Sequence, residues 1–334
     1  MAHKRSYSIV IPLFNEEKSI ERAIDSVLSQ GHNLEIVVVN DGSTDRGPRL
    51  VEKRNDPRIR LIHQTNQGVS AARNNGIKHC KSELIGLLDA DDIYLPNFLD
   101  MIDELVERYP SAGAYTTSFQ YKFEDRVFDS RHPKIKHPYF GIPDYFYCAG
   151  FDKYFCASSI VLRKSAIMQI GGFDTSLNYG EDTDAWGRLA LSYPIAHRSD
   201  VGAKYIRCGD THASLDNEFV LEPCIGFAIE HLRTEGAVDN ESLLTYVNNY
   251  LCRYAAWSIC SGRPSEGRAA LARRPSNNRL GKILSLYILS LYPSKLIQSA
   301  RAVWHKITES GTNWKDQRRI GCENRGDMSR GRAH

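Results

Sequence analysis

No C-x-x-C pair occurs among the eight cysteines of this 334-residue chain, at 80, 148, 156, 208, 224, 252, 260 and 322. A zinc ribbon or a thioredoxin-like centre therefore has no support. No apolar run reaches the roughly 18 residues that a membrane span needs. Neither G-x-G-x-x-G nor G-x-x-x-x-G-K-S/T follows a strand pattern, which excludes the usual dinucleotide and P-loop phosphate cradles. Charge of one sign is scarce too: 43 Lys and Arg stand against 40 Asp and Glu, a net +3, too mild to imply a nucleic-acid partner. No Ser-His-Asp or Cys-His arrangement offers a covalent nucleophile. Residues 1–5 run directly into a strand pattern, which predicts no secretory leader, reduced thiols and a cytosolic compartment.

What the chain does have is 42% hydrophobic and 25% charged residues, ordinary for a globular protein long enough for one large domain or two. It is organised around Leu87-Leu88-Asp89-Ala90-Asp91-Asp92. Leu84, Ile85, Leu87 and Leu88 read as a buried strand of a parallel sheet, and the three acids sit where it ends. In open α/β sheets ligands bind at the carboxyl ends of strands. Carboxylates crowded there repel one another unless a cation sits among them, and hard oxygen donors suit Mg²⁺ or Mn²⁺. A solvated acidic turn is the bland alternative.

Further strands are expected at 7–13, 34–39, 59–62 and 158–163, with helices at 17–30 and 70–79. Their alternation argues for βαβ units around a parallel sheet. The polar turn 40–45 contains Asp41, whose carboxylate can accept hydrogen bonds from a nucleobase N–H. Without a Gly-rich cradle, phosphates would be held by a metal and a basic side chain such as Arg73. Residues 113–155 hold 13 of the 33 aromatics, either a second layer of core or an acceptor surface whose rings stack on sugar faces. Acids 181–184 open an apolar helical pattern. Asp182 there is either a complement to the helix dipole or a general base at a rigid helix entrance. His212 either closes a metal shell or is structural.

Six pieces occur in order: IVIPLFNEE (9–17), VVNDGSTD (38–45), QGVSAARNNGI (67–77), LLDADD (87–92), GGFD (171–174) and GEDTDAW (180–186). Together they resemble the family 2 glycosyltransferases of the GT-A fold across residues 6–215. The resemblance implies a Rossmann-like α/β fold, a mixed, mainly parallel sheet flanked by helices, with a C-terminal helical extension. It also implies a nucleotide-sugar donor (a UDP-sugar by default), a divalent metal, Mn²⁺ or Mg²⁺, and inversion at the anomeric carbon. Pro12, Phe14, Glu16, Asp41, Arg73, Asp89 and Ala90 would bind the nucleotide sugar. Among them Asp41 would meet the base, Arg73 the base or diphosphate, and Asp89 the ribose. Asp91 would hold the metal, with His212 as a further ligand. Asp182 would deprotonate the acceptor hydroxyl, and Glu181 and Trp186 would contact the acceptor. The family's processive members carry Q-x-x-R-W and membrane spans. Trp186-Gly187-Arg188-Leu189 and the lack of a span imply single addition.

The expected organisation is a catalytic region 1–218, with a nucleotide half 1–112 and an acceptor half 113–218. A helical region 219–310 and a disordered polar tail 311–334 follow. Residues 240–260 would place Leu243, Leu244, Val247, Leu251 and Tyr254 on one helical face. Residues 263–279 read as a basic linker, and 280–292 as an apolar helix too short to span. Five arginines and one lysine against Glu266 over 263–282 would let 263–304 dock peripherally on anionic lipid. That would put a cytoplasmic enzyme at the inner face of a bacterial membrane, acting on a glycan or lipid-linked acceptor. The competing readings are a nucleotide-sugar-binding module without turnover and a nucleotidyltransferase. The latter wants a Gly-rich, lysine-bearing loop after the first strand, which Pro12-Leu13-Phe14-Asn15 is not.

Overall fold

The computed structural model describes residues 5–123, 126–177, 180–207, 222–234, 241–260 and 262–273. The chain divides into two compact units, 1–247 and 248–334. In the first, β1 (Ser6–Leu13) lies parallel between β2 (Asn33–Asp41) and β4 (Leu84–Leu87), and β3 (Ile59–Gln64) pairs parallel on the outer side of β2. Tyr7, Ile9, Val10, Ile11 and Leu13 of β1 are all 0% exposed, as a strand covered on both faces must be. Helix α1 (Ile20–Leu28) buries Ile20, Ala23, Ile24 and Val27. These join Ile9, Ile11, Ile36 and Val38 in one core cluster. Val10 and Val39 alternate to the opposite face, where α3 (Val69–His79) packs closely enough that a Cβ on Gly76 would lie 2.4 Å from Val10 Cγ1.

The sheet continues through β9 (Ile160–Arg163), β6 (Ala114–Phe123), β10 (Ile195–Arg207) and β5 (Ile93–Tyr94), giving the order β3-β2-β1-β4-β9-β6-β10-β5. β9 is antiparallel to both β4 and β6, β10 is parallel to β6, and β5 is antiparallel to β10. β7 (Arg126–Asp129) and β8 (Phe140–Gly141) pair at the margins of β6 and β10. The helices are α2 (Gly47–Lys53), α4 (Phe98–Arg108), α5 (Tyr145–Ala149), α6 (Lys164–Gln169), α7 (Glu181–Ser192), α8 (Glu222–Thr234) and α9 (Glu241–Cys260), the last running on into the second unit. A mixed, largely parallel sheet flanked by helices is the expected architecture.

Three elements depart from expectation. Residues 158–163 form a strand only from Ile160, because Ala157–Ser159 make a single 3₁₀ turn. Residues 263–279 are not all linker: α10 (Pro264–Ala272) begins on a proline, which suits a first helical turn. Tyr254 Oη donates to Glu266 Oε2 (3.2 Å), and the Arg263 guanidinium sits 4.4 Å from the Trp257 ring centroid. In α9 the buried hydrophobic residues are Leu243, Tyr246, Val247, Tyr250, Leu251, Ala255, Ala256 and Ile259, whereas Leu244 and Tyr254 are only half-buried. Residues 280–292 and 311–334 lie outside the described residues. Gly76→Ala should cost about 1–3 kcal/mol by forcing α3 off the sheet, read as a lower urea midpoint. An unchanged midpoint would contradict the close packing.

Candidate functional site

The loops after β1 and β2 are stitched together at the carboxyl end of the sheet. Asn15 N donates to Ser43 Oγ (3.1 Å), Thr44 N to Asn15 Oδ1 (2.8 Å) and Glu17 N to Asp45 Oδ2 (2.7 Å). Asn15 takes a φ of 56°, a left-handed conformation that asparagine tolerates. The preceding Phe14 is 47% exposed. Pro12 and Glu16 are half-buried beside it.

Asp41 is buried rather than presented. Its Oδ1 accepts from Gln64 Nε2 (2.8 Å) and Gln67 N (2.9 Å), and its Oδ2 from Gly68 N (2.9 Å). In this structure it orders the loop between β3 and α3.

The acids after β4 have three different surroundings. Asp92 is 0% exposed. Its Oδ1 accepts from Ile206 N (2.9 Å) and its Oδ2 from Ser158 Oγ (2.5 Å), while Ser158 Oγ accepts from Asp89 N (3.1 Å). One buried carboxyl thus ties the acid loop to β10 and to the turn before β9. Burial, with the charges of Asp91 and Asp89, pushes its pKa well above the carboxylate range. For Asp91, burial first and then the Asp89 and Glu16 charges raise the pKa to about 7. Asp91 also accepts from Arg22 Nη2 through its carbonyl (2.8 Å). Ala90, between the two acids, is buried.

These oxygens suit a divalent cation of a particular kind. Asp91 is a hard donor destabilised as an anion by its acid neighbours, a condition that a cation relieves. Among the described residues no three His, Cys, Asp or Glu side chains converge to hold a metal by themselves. Mg²⁺ and Mn²⁺ can bind through one or two carboxylates and complete their shells with water and phosphate oxygens. Asp91 with Asp89 fits that mode. His212 lies outside the described residues.

Arg73 joins this loop to α7. Its side chain is 4% exposed, with Nη2 donating to Asp89 Oδ1 (2.8 Å) and Nη1 to Glu181 Oε1 (2.9 Å). Burial works against the guanidinium, but the Asp89 and Glu181 carboxylates outweigh it and hold it charged. Its Nε is buried and has no acceptor among the described residues. In this structure the guanidinium is turned inward, onto these two acids. Burial and the Asp182 charge raise the Glu181 pKa from its ordinary value, with Arg73 opposing.

The α7 entrance is itself braced. Asn74, next to Arg73, accepts from Phe173 N (2.8 Å) and donates to Phe173 O (2.7 Å). A Cβ on Gly172, at φ 74°, would lie 2.5 Å from Asn74 Oδ1, so only glycine fits. Arg188 donates to Gly172 O (2.8 Å) and to Ile170 O (2.6 Å), and pairs with Asp184. Trp186 is 4% exposed, its ring 5.9 Å from Phe155 and 5.6 Å from Phe173. It packs in the core with these two rings.

Three residues gained no individual role from the sequence: Asp92, Ser158 and Lys153. Asp92 stood in the acid run, but which acid turns inward depends on β10, more than a hundred residues away. Ser158 and Lys153 carried no pattern signal. Replacing Arg73 with Met should cost about 3–5 kcal/mol, because it strands two carboxylates in a largely buried site. Urea unfolding measures it, and a loss under about 1 kcal/mol, typical of an exposed pair, would contradict the buried clamp.

Residues 8–171 match the glycosyl transferase family 2 profile. An uncharacterized glycosyltransferase of Bacillus subtilis, EpsJ, is 42% identical over 104 residues, 30% of each chain. The glycosyltransferase GlyG of Streptococcus pneumoniae is 29% identical over 168 residues, 49% of this chain and 50% of that one. The matched stretches thus span half or less of these relatives' lengths. The fold is shared with TarS of Staphylococcus aureus, solved with UDP-GlcNAc, at a TM-score of 0.56, 17% identity and 85% and 90% coverage of the two chains. That likeness is one of architecture, the GT-A arrangement. Residues 8–171 thus form a glycosyl transferase family 2 region of this chain.

Proposed function

We propose that the chain moves one sugar from a nucleotide-sugar donor, a UDP-sugar, to a hydroxyl of a glycan or lipid-linked acceptor, with inversion at the anomeric carbon. The observation that carries this reading is the Arg73 guanidinium, 2.8 Å from Asp89 and 2.9 Å from Glu181. It keeps the acid loop after β4 within one side chain's reach of the α7 entrance, where Asp182 follows Glu181. The donor class is supported by TarS, which has been solved with UDP-GlcNAc and with UDP.

In this reading Pro12, Phe14, Glu16, Asp89 and Ala90 line the nucleotide, and Asp41 acts through the loop it orders. Asp91, with Asp89, would hold Mn²⁺ or Mg²⁺, and the cation would neutralise charge growing on the diphosphate. The acceptor oxygen bonds to the anomeric carbon on the face opposite the departing diphosphate, which leaves with the bonding pair. The hydroxyl proton passes to Asp182. Asp182 Oδ1 accepts from Thr183 N (2.6 Å) and Thr183 Oγ1 (3.2 Å), and nothing among the described residues donates to Oδ2. One displacement at one carbon inverts it. Glu181 braces the entrance through Arg73, and Trp186 supports it from the core. A peripheral position at the cytoplasmic face of a membrane, through the basic stretch 263–304, belongs to the same proposal. No helix among the described residues is long and apolar enough to cross a bilayer.

Thermal unfolding with UDP, GDP, dTDP or CMP, each with and without Mn²⁺, tests the site. A ligand at about 100 times its Kd adds roughly 2.7 kcal/mol to stability. The expected result is an increase of several degrees with UDP that requires Mn²⁺ and is lost in Asp91→Ala. No shift with any nucleotide would contradict the reading.

A further inference from the structure

Lys153 holds a positive charge that no acid in the described structure pairs with. Among the described residues its Nζ makes no ion pair and no hydrogen bond. The residue is exposed. Its ammonium nevertheless stands 5.5 Å from the ring centroid of Tyr205 and 5.9 Å from those of Phe119 and Tyr121. The Phe119 and Tyr121 rings are 4.8 Å apart and the Tyr121 and Tyr205 rings 5.9 Å. Three rings from β6 and β10 therefore form one aromatic patch beneath one cation, which holds the flexible lysine in a defined place.

Its location in the sheet says which end of a substrate it would meet. β6 and β10 lie two and three places beyond β4, about 10 and 14 Å to the side at roughly 4.8 Å per strand. The loops assigned to the nucleotide follow β1, β2 and β4, away from this patch. Asp182, by contrast, is near enough for its charge to act on Lys153. An ammonium over tyrosine faces can pair with an anion while a ring supports the apolar face of a sugar.

We propose that Lys153, with Tyr121 and Tyr205, is an acceptor subsite that selects a glycan carrying an anionic group, a phosphodiester or a uronate carboxylate, near the hydroxyl to be glycosylated. The word acceptor rests on the transferase reading; the anion site itself does not.

The test titrates full-length protein with methyl glucuronide, glycerol 3-phosphate and neutral methyl glucoside, followed by NMR, with a UDP and Mn²⁺ arm alongside. The expected result is saturable binding of at least one anionic probe and none of methyl glucoside. The affinity should fall roughly tenfold or more in Lys153→Met, the loss of one charge-assisted contact, and recover in Lys153→Arg. The two anionic probes distinguish a phosphate from a carboxylate source. Circular dichroism melting shows that Lys153→Met is folded. The proposal is overturned if neither anionic probe binds, or if Lys153→Met binds them as wild type does. It is equally overturned if Lys153→Met weakens UDP and spares the anionic probes. Anion binding without UDP binding would sink the nucleotide-sugar reading and leave this site standing.

Discussion

A guanidinium with 4% of its side chain exposed, bonded to Asp89 on one side and Glu181 on the other, is the contact on which the site depends. Desolvating that charge is costly, and only good geometry to both acids offsets it. The same geometry fixes two segments that the chain brings from 92 positions apart, the loop after β4 and the start of α7. Every brace around it serves that junction. Asn74 grips the turn before α7, Arg188 ties the same turn from within the helix, and Ser158 and Asp92 anchor the acid loop from beneath. Removing the arginine would leave these braces holding two half-buried carboxylates of one sign.

Three carboxylates within four positions meet three fates, and the division of labour follows from their partners. Asp89 is neutralised by Arg73. Asp92 is sealed under β10 by two donors, in surroundings that favour the neutral acid. For Asp91, burial first and then the Asp89 and Glu16 charges, with Arg22 opposing, raise the pKa to about 7. A cation beside Asp91 would relieve that repulsion. Like charges are thus crowded where, in the proposed function, Asp91 and Asp89 would hold a metal and, through it, a diphosphate.

Much of this was legible in the sequence. The apolar runs of β1, β2 and β4 are long enough to announce strands covered on both faces, and the motifs at their ends mark the sheet's ligand-binding edge. What a sequence does not carry is the surroundings of a single side chain whose partners are distant in the chain. Asp41 looked open because it sits in a polar turn, but residues 64–68 fold back over it. Trp186 looked like part of the site because it follows three acids, yet helical geometry turns it inward between Phe155 and Phe173. Arg73 bonds two acids, Asp89 and Glu181, of which the second lies 108 positions away. Helix α4 escaped a motif-centred reading although Phe98, Leu99, Ile102 and Leu105 repeat at helical spacing. Lys153 had no signal at all, since its meaning lies in three rings from two strands.

The central claim is that one junction serves a single displacement on a nucleotide sugar, with Asp182 as its one base. The most direct measurement is proton NMR of the sugar released when the protein and Mn²⁺ are incubated with a UDP α-linked hexose, water taking the acceptor's place. The account predicts that the β anomer appears first, before mutarotation. It also predicts that Asp182→Asn slows release by roughly 10²–10⁴-fold. Release of the α anomer first, or release undiminished in Asp182→Asn, would contradict it.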